Sequence, residues 1–269
     1  MKHFFVLLLK SFLLSLLIFS LIATLIMFFA YSNNYKFTPA EKENSVLVVG
    51  VDNEKQKVIS VLVINVVPNK KEISFLAIPD NTLLEDAEIF QDSYYEKGLL
   101  YLKKRTEELI GTSISRYVVL DSEKIRQIIN SADEFPYSLN HPFEYNGQVL
   151  SGTVMLDGEK ASAMLLYDGY DPKGVSISEI SLSLFQAFLS ETTGKVNTER
   201  ISNVFLSDNY CDSKFTNMSE KELSEYILLL SEYNAMNHKI SEIVGETNVT
   251  SARAYFIPKK LKADRNIFN

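Results

Sequence analysis

The chain has 269 residues and 46% hydrophobic content, enough for one sizeable core, and at about 100–200 residues per domain the expectation is one folded domain plus a short N-terminal segment. Of its 27 basic residues only Lys2 and Lys10 precede residue 32, so the remainder sets 25 basic against 34 acidic side chains, a net −9 that repels polyanions and sets nucleic acid aside as a partner. The lone cysteine, Cys211, excludes an intrachain disulfide framework and a multi-cysteine metal site, and fits a small core residue.

Phe12 to Tyr31 is free of charge and broken only by Ser15, Ser20 and Thr24. Twenty such residues at 1.5 Å each cover the ~30 Å hydrocarbon core of a bilayer. The run exceeds the apolar region of a usual cleaved signal peptide, so residues 1–31 are expected to form a cytoplasmic stub and a transmembrane signal anchor. Lys2, His3 and Lys10 on one side, against Lys36 and Lys42 diluted by Glu41 and Glu43 on the other, place the N-terminus inside and the bulk of the chain outside. Residues 32–43, with Pro39, read as a polar stalk, and residues 44–269 as the domain.

The domain opens on three short β-branched runs, Val46–Val49, Val58–Val67 and Ile73–Ile78, bounded by Asn, Asp, Gly and Pro. The middle run is apolar almost throughout, as expected of a strand covered on both faces at the centre of a sheet. Two acidic loops follow the strands, one holding Gly50, Asp52 and Glu54, the other Pro79, Asp80, Asn81 and Thr82. Ligands of open α/β sheets sit at such carboxyl ends. As turn residues, Asp52, Asp80 and Asn81 need no further role.

Further on, Ser93 and Glu96 have the spacing of a capping box before a helix containing Leu99, Leu102, Leu109 and Ile110 and closed by Gly111. Ile114–Leu120 reads as another strand, and Asp121 as the N-cap of a helix carrying Ile125, Ile128 and Ile129. Phe143–Leu150 is short and mixed. A helix is expected to start near Asp157 and another to run from Ile180 to Leu189. Ser219 and Glu222 form a second capping-box pattern before Leu223, Ile227 and Leu230, and Tyr255–Pro258 reads as a closing strand. Strands alternating with helices argue for an α/β fold with a central mixed sheet.

In order and spacing these segments resemble the LytR-CpsA-Psr (LCP) family, membrane-anchored bacterial enzymes that move glycopolymers from a lipid pyrophosphate carrier onto peptidoglycan. VLVVGVD, KVIS, PNKKEI and FLAIPDNT stand where that family reads LLLGxD, RSDT, a PxTKKV-like turn and LLSIPRDT. LDGEKA at residues 156–161 and Thr216-Asn217-Met218 match further family segments. The resemblance implies an LCP-like fold, a metal pair on carboxylates, arginines on the pyrophosphate, and an apolar tunnel for the polyprenyl chain between sheet and helices.

Residue by residue the charges do not follow. Asp52 matches the first acidic residue and is the metal position the resemblance leaves. Lys57 stands at the first phosphate-binding arginine and Ile59 at the second metal carboxylate. Asp80 and Asn81 replace Arg-Asp, Leu166 and Asp168 replace an arginine pair, and Ser178 and Ser181 replace the arginines of the next helix. Pyrophosphate chemistry needs a metal and several cations on the developing charge. With each charge-assisted contact worth roughly 1.5–3 kcal/mol, four losses argue against catalysis.

The resemblance therefore implies a membrane-anchored, single-pass protein of bacterial cell-envelope assembly, catalytically degenerate, that binds a polyprenyl lipid or an envelope protein partner and needs no cofactor. Leu166 and Ile59 are expected as tunnel walls. The alternatives are an active transferase using Mg or Mn, with charge supplied from Lys57, Lys55, Arg116 or Arg200, and a purely structural membrane-anchored module.

Overall fold

The computed structural model describes residues 44–84, 88–171, 175–192, 198–206, 212, 214–249 and 254–259. The expected anchor, the stalk and Cys211 lie outside the described residues. Among the described residues no helix is long and apolar enough to cross a membrane.

In chain order the elements are β1 (Asn44–Asp52), β2 (Lys57–Val67), β3 (Glu72–Ile78), α1 (Ser93–Lys97), α2 (Leu99–Ile110), β4 (Arg116–Asp121) and α3 (Ser122–Asn130). There follow β5 (Phe135–Tyr145), β6 (Gln148–Leu156), α4 (Gly158–Leu165), α5 (Ile177–Thr192), α6 (Thr198–Leu206), α7 (Glu220–Leu230), β7 (Asn237–Ser241), β8 (Gly245–Val249) and β9 (Ala254–Pro258). The central sheet has the order β4-β1-β2-β3-β7. β1 and β3 run antiparallel to β2, while β4 runs parallel to β1 and β7 parallel to β3, so the sheet is mixed as expected.

β2 is buried without interruption from Val58 to Val66, because both of its faces are covered. On one face Leu47, Val49, Val63 and Leu76 pack with Phe90, Leu102 and Ile110. On the other Val46, Leu62, Ile64 and Phe75 join the larger core, to which α4, α5 and α7 contribute Met164, Leu184, Phe188 and Ile227. The period-2 alternation of strand side chains sorts the residues into these two layers.

Three local expectations differ in detail. Ser93 does not cap a long helix: its hydroxyl donates to the Phe90 carbonyl at 2.6 Å, and Gly98, at φ +87°, separates α1 from α2. Phe143–Leu150 belongs to a long hairpin of β5 and β6, turned by Asn146 and Gly147 at φ +51° and +76°, the conformation that Asn-Gly turns favour. β7 and β8 carry too few regularly spaced apolar residues to be read from the sequence, and α6, with Ile201, Val204 and Phe205 at helical spacing, was missed. Elsewhere local chemistry acts as expected: Asp121 caps α3 by accepting from Lys124 N at 2.7 Å, and Ser219 and Glu222 form a reciprocal capping box on α7.

Two of the family-like segments are structural. Asp157 caps α4 through Lys160 N at 2.8 Å, and Gly158 N donates to Asn130 Oδ1 at 2.8 Å. A Cβ on Gly158 would stand 2.2 Å from the Arg126 carbonyl oxygen, so glycine is what lets α4 meet α3. Thr216 and Asn217 dress the edge of β4: Thr216 Oγ1 donates to Tyr117 O at 2.7 Å, and Asn217 Oδ1 accepts from Tyr117 N at 2.9 Å. Both segments therefore serve the scaffold.

Candidate functional site: a sheet end beside an apolar chamber

Because β2 is antiparallel to its neighbours, β1 and β3 end where β2 begins. Asp52 pairs in register with Lys57 there. Asp52 is 3% exposed, and its Oδ1 accepts from Glu54 N at 3.0 Å and Lys55 N at 3.2 Å. Its carbonyl accepts from the Tyr95 hydroxyl at 3.0 Å, and burial, with smaller contributions from Tyr94 and Asp52, pushes that phenol up to about 12. The carboxylate is thus holding the β1–β2 turn.

Lys55 and Lys57 both face Asp168, beyond the end of α4. Lys55 Nζ hydrogen-bonds Asp168 Oδ2 and Lys57 Nζ lies 3.9 Å from Oδ1. The hydrogen bond to Lys55 holds the Asp168 carboxyl below its ordinary value and in turn raises Lys55. Sequence reasoning placed Asp168 at an arginine position; the structure makes it the counter-ion of the two lysines.

Ile59 is the extra residue of a β-bulge, since Gly50 pairs with Ser60 and Val51 with Val58. It is 2% exposed, within the larger core. Asp80 has a buried Oδ1 with no hydrogen-bond partner among the described residues, and Asn81 ties β9 to the sheet end through Ala254 O at 3.2 Å and Phe256 N at 3.0 Å. Ser178 Oγ accepts from Val61 N at 3.4 Å. Ser181 is buried, and its Oγ has no hydrogen-bond partner among the described residues. Leu166 is half-buried against the larger core.

Between the sheet and its helices lies an apolar chamber of about 160 Å³. Val46, Val48, Gly50, Ser60 and Leu62 form its floor, α3, α5, α6 and α7 its walls and roof, and Leu165 closes it on the α4 side. None of its lining residues carries a charge. Ile59 and Leu166, expected as walls, are not in the lining: Ser60 stands on the floor by the same alternation as Leu62 and Ile64, and the last turn of α4 presents Leu165. The floor ends at Gly50 and Ser60, two strand positions from the Asp52–Lys57 pair.

The structure also shows a carboxylate that sequence reasoning missed. Glu179, in the first turn of α5, is pushed above its ordinary value by burial and by the charges of Asp80 and Glu242, with His141 opposing. It borders a polar cleft of about 430 Å³ shared with Pro79, Asn81 and Glu242. In sequence it looks like an acidic residue at the start of a helix, so only three-dimensional proximity to Asp80 reveals it. Lys55 and Lys57 themselves face Asp168, and the charge of Asp52 also acts on Lys55.

The other proposed cations do not reach this end. Arg116 pairs in register with Val46, roughly 20 Å along β1 from Asp52, and is engaged by Glu222. Arg200 lies 3.3 Å from Ser131 O and 3.9 Å from Asp133, past the far end of α3. The donors do not fit a divalent ion either. Asp52 Oδ1 is committed to two backbone N–H groups, Ile59 offers no donor, and no group of three His, Cys, Asp or Glu among the described residues could hold a metal.

No protein-family model matches the chain, and no curated protein matches it significantly. Solved structures do match. Bacillus subtilis TagV is similar over 81% of this chain and 92% of its own, at 19% identity and a TM-score of 0.63. TagT bound to LI-WTA, a B. subtilis protein, is similar over 83% and 87%, at 16% identity and a TM-score of 0.63. B. subtilis TagU is similar over 81% and 91%, at 17% identity and a TM-score of 0.55. These are LCP proteins, and the fold of this chain is LCP-like.

Proposed function

We propose that this chain is a membrane-anchored LCP-like protein of bacterial cell-envelope glycopolymer assembly, which holds a polyprenyl chain in its apolar chamber and does not transfer the pyrophosphate-linked group. The observation that carries this reading is the chamber, uncharged throughout its lining, beside a sheet end whose two lysines are already paired with Asp168. Burying hydrocarbon needs only apolar walls, at about 0.8 kcal/mol per methylene. Phosphoryl chemistry needs cations aimed at oxygens that gain charge, and Asp52, Asp80, Asp168 and Glu179 oppose that charge.

TagT, which shares the fold, is known bound to LI-WTA. In this chain the chamber offers about 160 Å³ of apolar space to such a hydrocarbon chain. Phe12 to Tyr31 anchors the protein, with the N-terminus inside and the domain outside.

The test uses full-length protein purified from membranes in detergent. Lipid extraction with mass spectrometry is expected to recover a polyprenyl lipid, and polyprenyl pyrophosphate with magnesium or manganese is expected to give no turnover. Metal-dependent turnover abolished by Asp52→Ala would establish the active transferase instead. Absence of any bound lipid, with no thermal shift at any chain length, would leave a structural module or a protein partner.

A further inference from the structure

We propose that a second, smaller cavity beside Glu179 binds a methylated ammonium group, with Tyr137, His141 and Tyr170 as its aromatic walls and the Glu179 carboxylate as its counter-ion. This goes beyond the lipid-holding reading and does not rest on it. The cavity, of about 80 Å³, lies where β5, α4 and α5 meet. A single water needs about 10–15 Å³, so there is room for a group of trimethylammonium size. The β5–β6 ladder breaks between Leu139 and Phe143, at a proline that has no N–H to give it, and two residues of that break, Asn140 and His141, line the cavity.

The rings hold one another in place. His141 meets Tyr170 edge to face with centroids 6.3 Å apart, and Tyr167 packs on Tyr170 in the same manner at 5.0 Å. The Tyr137 hydroxyl is spent on Ser183 Oγ at 3.1 Å. A cation is attracted by aromatic rings within about 6 Å of their centroids, a reach comparable with the whole width of so small a cavity.

The charge around the cavity is uncompensated. Neither lysine nor arginine lines it. Glu179 meets Ser176 through its backbone N–H, and among the described residues no ion pair or hydrogen bond engages its carboxylate. Burial first, then the charges of Asp80 and Glu242, push that carboxyl above its ordinary value, and His141, the weakest influence, does not offset them. A cation entering the cavity relieves this repulsion.

Ser176 and Glu179 also line the neighbouring cleft of about 430 Å³, so a molecule that seats its ammonium in the small cavity can lay its remainder in the cleft. The cleft lining holds Glu242 and no cation, which disfavours a phosphate there. The remainder is therefore neutral, and a zwitterionic phosphate-ammonium headgroup is the wrong ligand.

Full-length protein in a maltoside detergent is titrated with choline, with dimethylbutanol as its uncharged isostere, and with phosphocholine, each followed by its methyl proton resonance. Choline is expected to bind about ten-fold more tightly than phosphocholine. Glu179→Gln should weaken choline about five- to ten-fold and leave the alcohol unchanged. Tyr170→Leu should weaken choline about three- to ten-fold, whereas Tyr170→Phe, which keeps the ring, should stay within about two-fold of the parent. Far-UV circular dichroism checks each variant, and His141→Leu serves should Tyr170→Leu fail to fold. Absence of choline binding overturns the proposal, as does choline binding indifferent to Glu179→Gln or to loss of the ring. An alcohol weakened by Glu179→Gln as much as choline overturns it too, and phosphocholine binding as tightly as choline overturns the neutral remainder.

Discussion

Truncating a buried side chain usually destabilises, but Ser181→Ala should do the reverse. Its hydroxyl is buried with no partner, a state that costs about 1–3 kcal/mol. Position 181 lies inside α5, where alanine is a better helix former than serine by roughly 0.5 kcal/mol. Removing one oxygen enlarges the space beside it by about 20 Å³, which at ~24 cal/mol per Å³ returns only about 0.5 kcal/mol. The net gain is about 1–3 kcal/mol, or roughly 2–12 °C in melting temperature for a domain of this size. Tyr226→Phe should add a comparable gain. The assay is urea denaturation of lipid-free protein, reading a higher midpoint at unchanged slope. A midpoint lowered by 1 kcal/mol or more would refute the reasoning, because it would mean that the oxygen has a partner in solution.

Ile59→Asp, which restores the carboxylate the LCP resemblance calls for, should destabilise by several kcal/mol, since the bulge delivers the side chain into an apolar core; rescue of the urea midpoint by magnesium or manganese would refute this. Gly158→Ala should cost more than 2 kcal/mol, because its Cβ meets backbone of α3 rather than a movable side chain; a midpoint within 0.5 kcal/mol of the parent would show that α4 can shift. Glu179 is a glutamate with a raised folded-state value, so its contribution to stability is complete below about 4.5 and is lost as pH rises through that raised value; Glu179→Gln should flatten the slope there, and an unchanged slope between pH 4 and 8 refutes it. Asp168→Asn should leave the melting temperature within about 2 °C of the parent, because the Lys55 and Lys57 pairs are largely exposed, and a larger loss would show that they hold α4 in place.

Much of the fold was legible in the sequence because its strongest signals are local. β1 to β4 carry dense β-branched runs, and Asp121, Asp157 and Ser219 bond to backbone three residues away, so their roles need no tertiary information. The hairpin of β5 and β6 alternates weakly because much of it is exposed, and only Asn146-Gly147 announced it. At the sheet end, the sequence named Asp168 and Ser181 but not what they contact. Asp168 and Lys55 are 113 residues apart, and no local pattern tells an exposed turn aspartate from a counter-ion. Ser178 and Ser181 are one turn apart on the same helix, yet one is satisfied by Val61 N and the other by nothing. That difference depends on what packs against each hydroxyl, which hydrophobic spacing does not encode.

The bulge also explains why a metal-binding carboxylate at this sheet end is not a single substitution away. In a regular ladder residues 59 and 60 would face opposite layers; the extra residue lets Ile59 enter the larger core while Ser60 reaches the chamber floor. Gly50 makes room for it, since a Cβ there would stand 2.6 Å from Ser60 Oγ. A carboxylate at 59 would be buried beside an Asp52 already committed to the turn, and the lysines would remain bound to Asp168. Three changes in different elements would have to occur together before a metal and a phosphate could share the site. The chamber depends on none of them, because its walls are built from side chains that also form the core, so its apolar lining survives wherever the fold does.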